Sequence, residues 1–105
     1  MSYDENQLPL PPSFHALYTD ARQRLTAPLL QVQARYELCE DLAQHLVEQT
    51  QGLHQDSLRE QREILQRYQQ ALAAPEAGLT QAEPHWVVRR LAELLGWPDE
   101  AANAA

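Results

Sequence analysis

The stretch from Pro28 to Leu53 is the longest in this chain without an interior helix breaker, and it limits the possible folds more than any other segment. Leu29, Val32, Tyr36, Cys39, Ala43 and Leu46 recur at alternating spacings of three and four. That rhythm puts all six on one stripe of a helix. Leu38 and Leu42 widen the stripe. A helix with so broad an apolar face is expected to touch more than one neighbour. As the longest element, it is expected to be the one the others pack against.

The flanking segments divide at local signals. LPLPP (residues 8–12) reads as extended, because proline fixes φ and restricts the residue before it. Pro9 and Pro12 make a formal PxxP match, and Leu8 and Leu10 would anchor the segment as a strap. Ser13 is placed to cap a short helix with Phe14, Leu17 and Tyr18 on one face. Thr26 is the expected cap of the long helix, with Pro28 in its first turn, and Gly52 lies near its end. Ser57 and Glu60 spell a capping box opening a helix whose apolar face is Leu58, Ile64, Leu65, Tyr68 and Leu72. Pro75 stops it. Thr80 and Glu83 spell a second box before a helix running to about Leu95, with Val87, Val88, Leu91, Leu94 and Leu95 buried. Gly96 suits the left-handed position after that helix, and Pro98 prevents its continuation.

The expected fold is therefore all-α: a small antiparallel three-helix bundle with an additional short N-terminal helix. Residues 1–12 are expected to be extended or disordered, 13–97 to form the helical domain and 98–105 (PDEAANAA) to be a disordered tail.

Composition narrows the chemistry. All eight basic residues are arginines, and there is no lysine. This excludes a P-loop lysine, a Schiff-base lysine and a lysine general base. The net charge of −7 works against phosphate backbones and anionic lipid surfaces, so neither nucleic acid nor membrane is an expected partner. No apolar run approaches the roughly 20 residues that span a bilayer. One cysteine allows no internal disulfide, and MSYDENQ is not a secretory leader. A cytoplasmic protein is expected.

Few residues offer chemistry. Glu37, Asp41, His45 and Glu48 form a polar stripe on the long helix. Asp41, His45 and Glu48 are the weak candidates for metal ligands, and a solvated acidic face is the simpler account. Cys39 lies among apolar residues and near acidic ones, which suits a buried thiol rather than a nucleophile. No catalytic constellation and no cofactor motif is present, so the expectation is a non-enzyme. Trp86, Arg89, Arg90 and Trp97 make the best candidate contact patch, since tryptophan and arginine are frequent interface anchors. Phe14 and Tyr18 offer a second anchor. The alternative is that these tryptophans cap the core and the arginines form internal salt bridges.

Three strings, PPSFHALY (Pro11 to Tyr18), RYELCEDLAQHLVEQ (Arg35 to Gln49) and WVVRRLAELLGW (Trp86 to Trp97), resemble a group of small proteobacterial proteins often labelled "ATPase with chaperone activity". The resemblance implies a helical fold and a bacterial cytosolic setting. Gly52, Gly78 and Gly96 are far apart and no lysine follows them, so the chain lacks a P-loop. The role this leaves is that of a small partner assisting an ATPase chaperone. Three functions are thus expected as rivals. They are a non-catalytic protein–protein interaction module, a homodimer whose stripes complete each other's core, and a helical bundle holding a metal or small ligand.

Overall fold

The computed structural model describes residues 10–103. Leu8, Pro9 and the rest of the segment before Leu10 lie outside the described residues. The fold is all-α. Its helices are α1 (Pro12–His15), α2 (Leu29–Thr50), α3 (Leu58–Ala73), α4 (Glu83–Leu95) and α5 (Asp99–Asn103), with 3-10 turns at Ala16–Tyr18 and Pro75–Ala77. The only strand-like pairing among the described residues is an isolated bridge between Thr19 and Leu25. The chain divides into two compact units, Met1–Leu38 and Cys39–Ala105, and the division falls within α2.

In the first unit, α1 begins at Pro12, with Pro11 in the cap position and no side-chain cap. The expected cap at Ser13 is thereby corrected: proline at the first position needs no N–H partner and has its φ preset. Phe14 is fully buried against Tyr18 (ring centroids 5.7 Å apart) and Tyr36 (5.6 Å, edge to face). Such tilted aromatic pairs add to the area they bury. The chain then turns around Asp20, whose Oδ1 accepts from the backbone N–H groups of Arg22 (2.8 Å) and Arg24 (3.0 Å). Within that turn Gln23 adopts a left-handed φ of 65°. Thr26 does not cap α2. Its N–H donates to the Tyr18 carbonyl at 2.8 Å, and the helix starts after Pro28, whose carbonyl accepts from Val32 N–H.

In the second unit the capping box at the start of α3 is complete: Ser57 Oγ accepts from Glu60 N–H (3.1 Å) and Glu60 Oε1 from Ser57 N–H (3.1 Å). The box expected at α4 is half present. Glu83 Oε1 accepts from Thr80 N–H at 2.9 Å, but Ala82 holds the cap position without a side-chain bond, and the helix starts at Glu83. Pro84 sits in the first turn, where its missing N–H costs nothing. At the far end Gly96 is left-handed (φ 72°). Trp97 N–H donates to the Ala92 carbonyl (2.9 Å) and Gly96 N–H to that of Glu93 (3.1 Å). Those two bonds are a Schellman closure.

The core of this unit is Leu65, Val88, Leu91, Ala92, Ala101 and Ala102, with Leu46, Val47, Leu58, Tyr68, Leu72, Leu95 and Trp97 packed partly buried against it. The closest helix packing joins α3, α4 and α5. This corrects the expectation that α2 is the hub. Leu46 and Val47 of α2 reach this core by side chain, while Ala92, Ala101 and Ala102 let the other backbones approach.

Residues 99–103 are a second correction, because they form α5 rather than a frayed tail. Ala101 and Ala102 are buried, and Arg62 Nε donates to the Glu100 backbone carbonyl at 3.3 Å. The two buried methyl groups contribute on the order of 1–2 kcal/mol. Ordering five residues costs on the order of 1 kcal/mol each. Backbone hydrogen bonds narrow the gap, and α5 is left marginally docked.

Candidate functional site

Arg90 on α4 is the most constrained of the expected contact residues. Its Nε donates to Glu40 Oε1 at 2.8 Å and its Nη2 to Glu40 Oε2 at 3.1 Å. This is a paired, fork-like contact with the far larger part of the Glu40 side chain out of solvent. Its Nη1 also reaches Glu93 Oε1 at 3.2 Å, one turn along α4. The sequence suggested that one arginine pairs with Glu93 and the other with the acidic long helix. In the structure a single arginine does both.

The electrostatics follow the geometry. The Arg90 hydrogen bonds hold the Glu40 carboxyl below its ordinary value near 4.5. Burial opposes that shift, and a hydrogen bond from Gln44 Nε2 at 2.8 Å assists it. The Arg90 guanidinium is pushed in the complementary direction, upward, chiefly by the same bonds to Glu40. Arg90 therefore ties α4 to the second-unit part of α2 and does not present an unclaimed cation.

The other expected anchors separate by burial. Trp86 is only 7% exposed and Phe14 is fully buried, so both are core residues and not surface anchors. The reason is geometric: Trp86 follows Glu83 and Pro84 into the buried side of α4, and Phe14 fills the space between Tyr18 and Tyr36. Tyr18 and Trp97 are half-buried. Trp97 Nε1–H donates to Gln55 Oε1 at 3.2 Å, and Gln55 Nε2 in turn donates to the Thr50 carbonyl at 3.1 Å. Gln55 thus links the end of α2 to the segment after α4. Arg89 alone of the six is exposed.

Asp41, His45 and Glu48 are exposed on α2. His45 Nε2 lies 3.4 Å from Gln49 Nε2. Among the described residues no three His, Cys, Asp or Glu side chains come together in a way that could hold a metal ion. Cys39 is buried. A shallow depression of about 220 Å³ is lined by Leu53, His54, Glu60, Glu63, Ile64 and Arg67. Glu60 is already committed to its capping box, and Glu63 lies 3.7 Å from Arg59.

The structure exposes a strip of α2 that includes Leu38, which the periodicity placed in the widened apolar stripe, and Leu30, which it did not mark. Leu30 is 76% exposed, Leu38 is 39% exposed, and Ala34 between them is exposed as well. Spacings of four put these three on one strip of the first-unit portion of α2. At about 100° per residue, Leu30 lies nearly opposite Val32 and Cys39. An apolar residue on the face that the main stripe leaves polar was the available signal.

No helix of the described residues is long and apolar enough to cross a membrane. Comparison with family models, with curated proteins and with solved structures yields no match.

Proposed function

We propose that this chain is a non-catalytic helical protein–protein interaction module, a cytoplasmic bacterial adaptor or regulator working beside an ATPase chaperone. The arrangement proposed for it is a small antiparallel three-helix bundle with a short N-terminal helix. The exposed Leu30–Ala34–Leu38 strip is the observation that carries this reading. A leucine three-quarters exposed, continued by apolar residues one and two turns on, is the pattern of anchors that a helix offers to an apolar groove. The carboxylates of Glu37 and Asp41 beside the strip are exposed, which favours a partner with basic residues around its groove. The resemblance to proteins often labelled "ATPase with chaperone activity" suggests the setting.

The test places a photo-crosslinking amino acid at Leu30 in one strain and at Glu48 in another. Irradiation of cells is expected to give one discrete heteromeric adduct from position 30 and none of the same mass from position 48. Identical adducts from both positions, or none from position 30, would overturn the reading.

A further inference from the structure

We infer that α5 exchanges between two copies of this chain, each copy seating its α5 in the groove between α3 and α4 of the other. The groove and its occupant are both on view. Leu65 of α3 and Val88, Leu91 and Ala92 of α4 form an apolar floor, and Ala101 and Ala102 of α5 cover it. Leu65, Val88 and Leu91 are fully buried with α5 in place. If α5 left, that floor would face water, so the open form is one that seeks a replacement cover.

Three features make α5 able to leave. Its five residues are far below the length at which a helix holds itself in water. Its apolar grip among the described residues is the Ala101 and Ala102 methyl groups. Its recorded polar tie to α3 is the 3.3 Å bond from Arg62 to the Glu100 carbonyl. The lead-in is already a break in the helix: Gly96 is left-handed and Pro98 bars continuity with α4. A change in backbone angles after Trp97, at Pro98, swings α5 away while Trp97 keeps its bonds to Ala92 and Gln55. Marginally held short elements of this kind are drawn from the low-stability end of a fold.

The occupant that fits the vacated groove is the segment already seen to fit it, and a second copy supplies one. Reciprocal exchange is a closed two-fold arrangement, so both floors are covered and the assembly stops at two. The cis seat is favoured by the short connection, and exchange rises with protein concentration. This inference does not rest on the proposed partner face: that face is the strip on α2 in the first unit, whereas the groove belongs wholly to the second.

The test uses two full-length variants, Arg62→Cys and Glu100→Cys, and a short bismaleimide. Cys39 is buried and does not compete for reagent in the folded protein. The double variant reports the cis seat by closing within one chain. An equimolar mixture of the single variants is expected to give an Arg62→Cys/Glu100→Cys cross-linked pair. That pair should exceed either self-pair by several-fold, grow with concentration, and disappear when Ala101→Asp is added to the Glu100→Cys chain. Closure of the double variant without any excess of the mixed pair would overturn the inference. So would failure of the double variant to close, since the seat itself would then be absent.

Discussion

Leu91 and Leu30 are the same side chain in the same secondary structure, yet Leu91 is fully buried and Leu30 is 76% exposed. Both sit in helices with leucine-rich neighbourhoods. The difference lies in what surrounds them. Leu91 is one of a set on α4, with Val88 and Ala92, that packs with Leu65 of α3 and Ala101 and Ala102 of α5. Leu30 stands out of phase with the stripe of its own helix. Hydrophobicity alone does not decide burial; phase relative to a packed neighbour does.

The largest expected effect tests the buried side of that comparison. Leu91→Ala removes a filled position at the centre of the second-unit core and is expected to destabilise the fold by about 2–5 kcal/mol, read by urea denaturation. An effect under about 1 kcal/mol would show that the α3–α4–α5 cluster is not the stabilising core. Gln55→Ala comes next. It leaves the Trp97 indole N–H without its partner and removes one of the two bonds that the Thr50 carbonyl accepts, the other coming from Leu53 N–H, at a cost of about 1–3 kcal/mol. Trp97 emission should shift to longer wavelength, and an unchanged spectrum would count against the linkage.

Glu40 gives a smaller, pH-dependent effect. Its folded-state pKa is lowered by Arg90, so the contribution it makes is present above the unfolded value near 4.5 and is lost as pH falls through the lower folded value. Glu40→Gln should therefore be less stable than the parent near neutrality. The two curves should converge as pH falls below about 4.5. Curves that stay parallel would break the pairing. The smallest effect belongs to Leu30→Gln, expected within about 0.5 kcal/mol of the parent because the side chain is already in water. A large loss there would place Leu30 in an intramolecular contact and remove the proposed partner face.

What could be read from the sequence was local. Ser57 with Glu60, and Gly96 with Pro98, act over three or four residues, and both formed as their spacing implies. Burial of Val32, Cys39, Ala43, Leu65, Val88 and Leu91 followed from periodicity. What could not be read depended on the tertiary context. DEAAN has no apolar rhythm, and its helix exists because two alanines fit a groove made by other segments. Thr80 carries the letters of a cap, but Pro84 and the burial of Glu83 set the start of α4 three residues later. The stripe on α2 gave its facing side but not the rank of that helix in the packing. For the candidate site, residue type suggested Trp86 and Phe14 as anchors, and these are the same large apolar groups that a small core uses first. Burial separates Trp86 and Phe14 from the exposed Leu30, and residue type alone does not reveal that difference.

The buried thiol of Cys39 has a practical consequence. It sits in mid-helix, at the first residue of the second unit, and it is the only sulfhydryl in the chain. A thiol reagent can modify it only during excursions that uncover the middle of α2. Its labelling rate in native buffer is thus an intrinsic meter of how often that helix opens, and it needs no engineered probe. Comparing that rate with the global unfolding equilibrium would tell whether the two halves of α2 part locally or only when the whole molecule does.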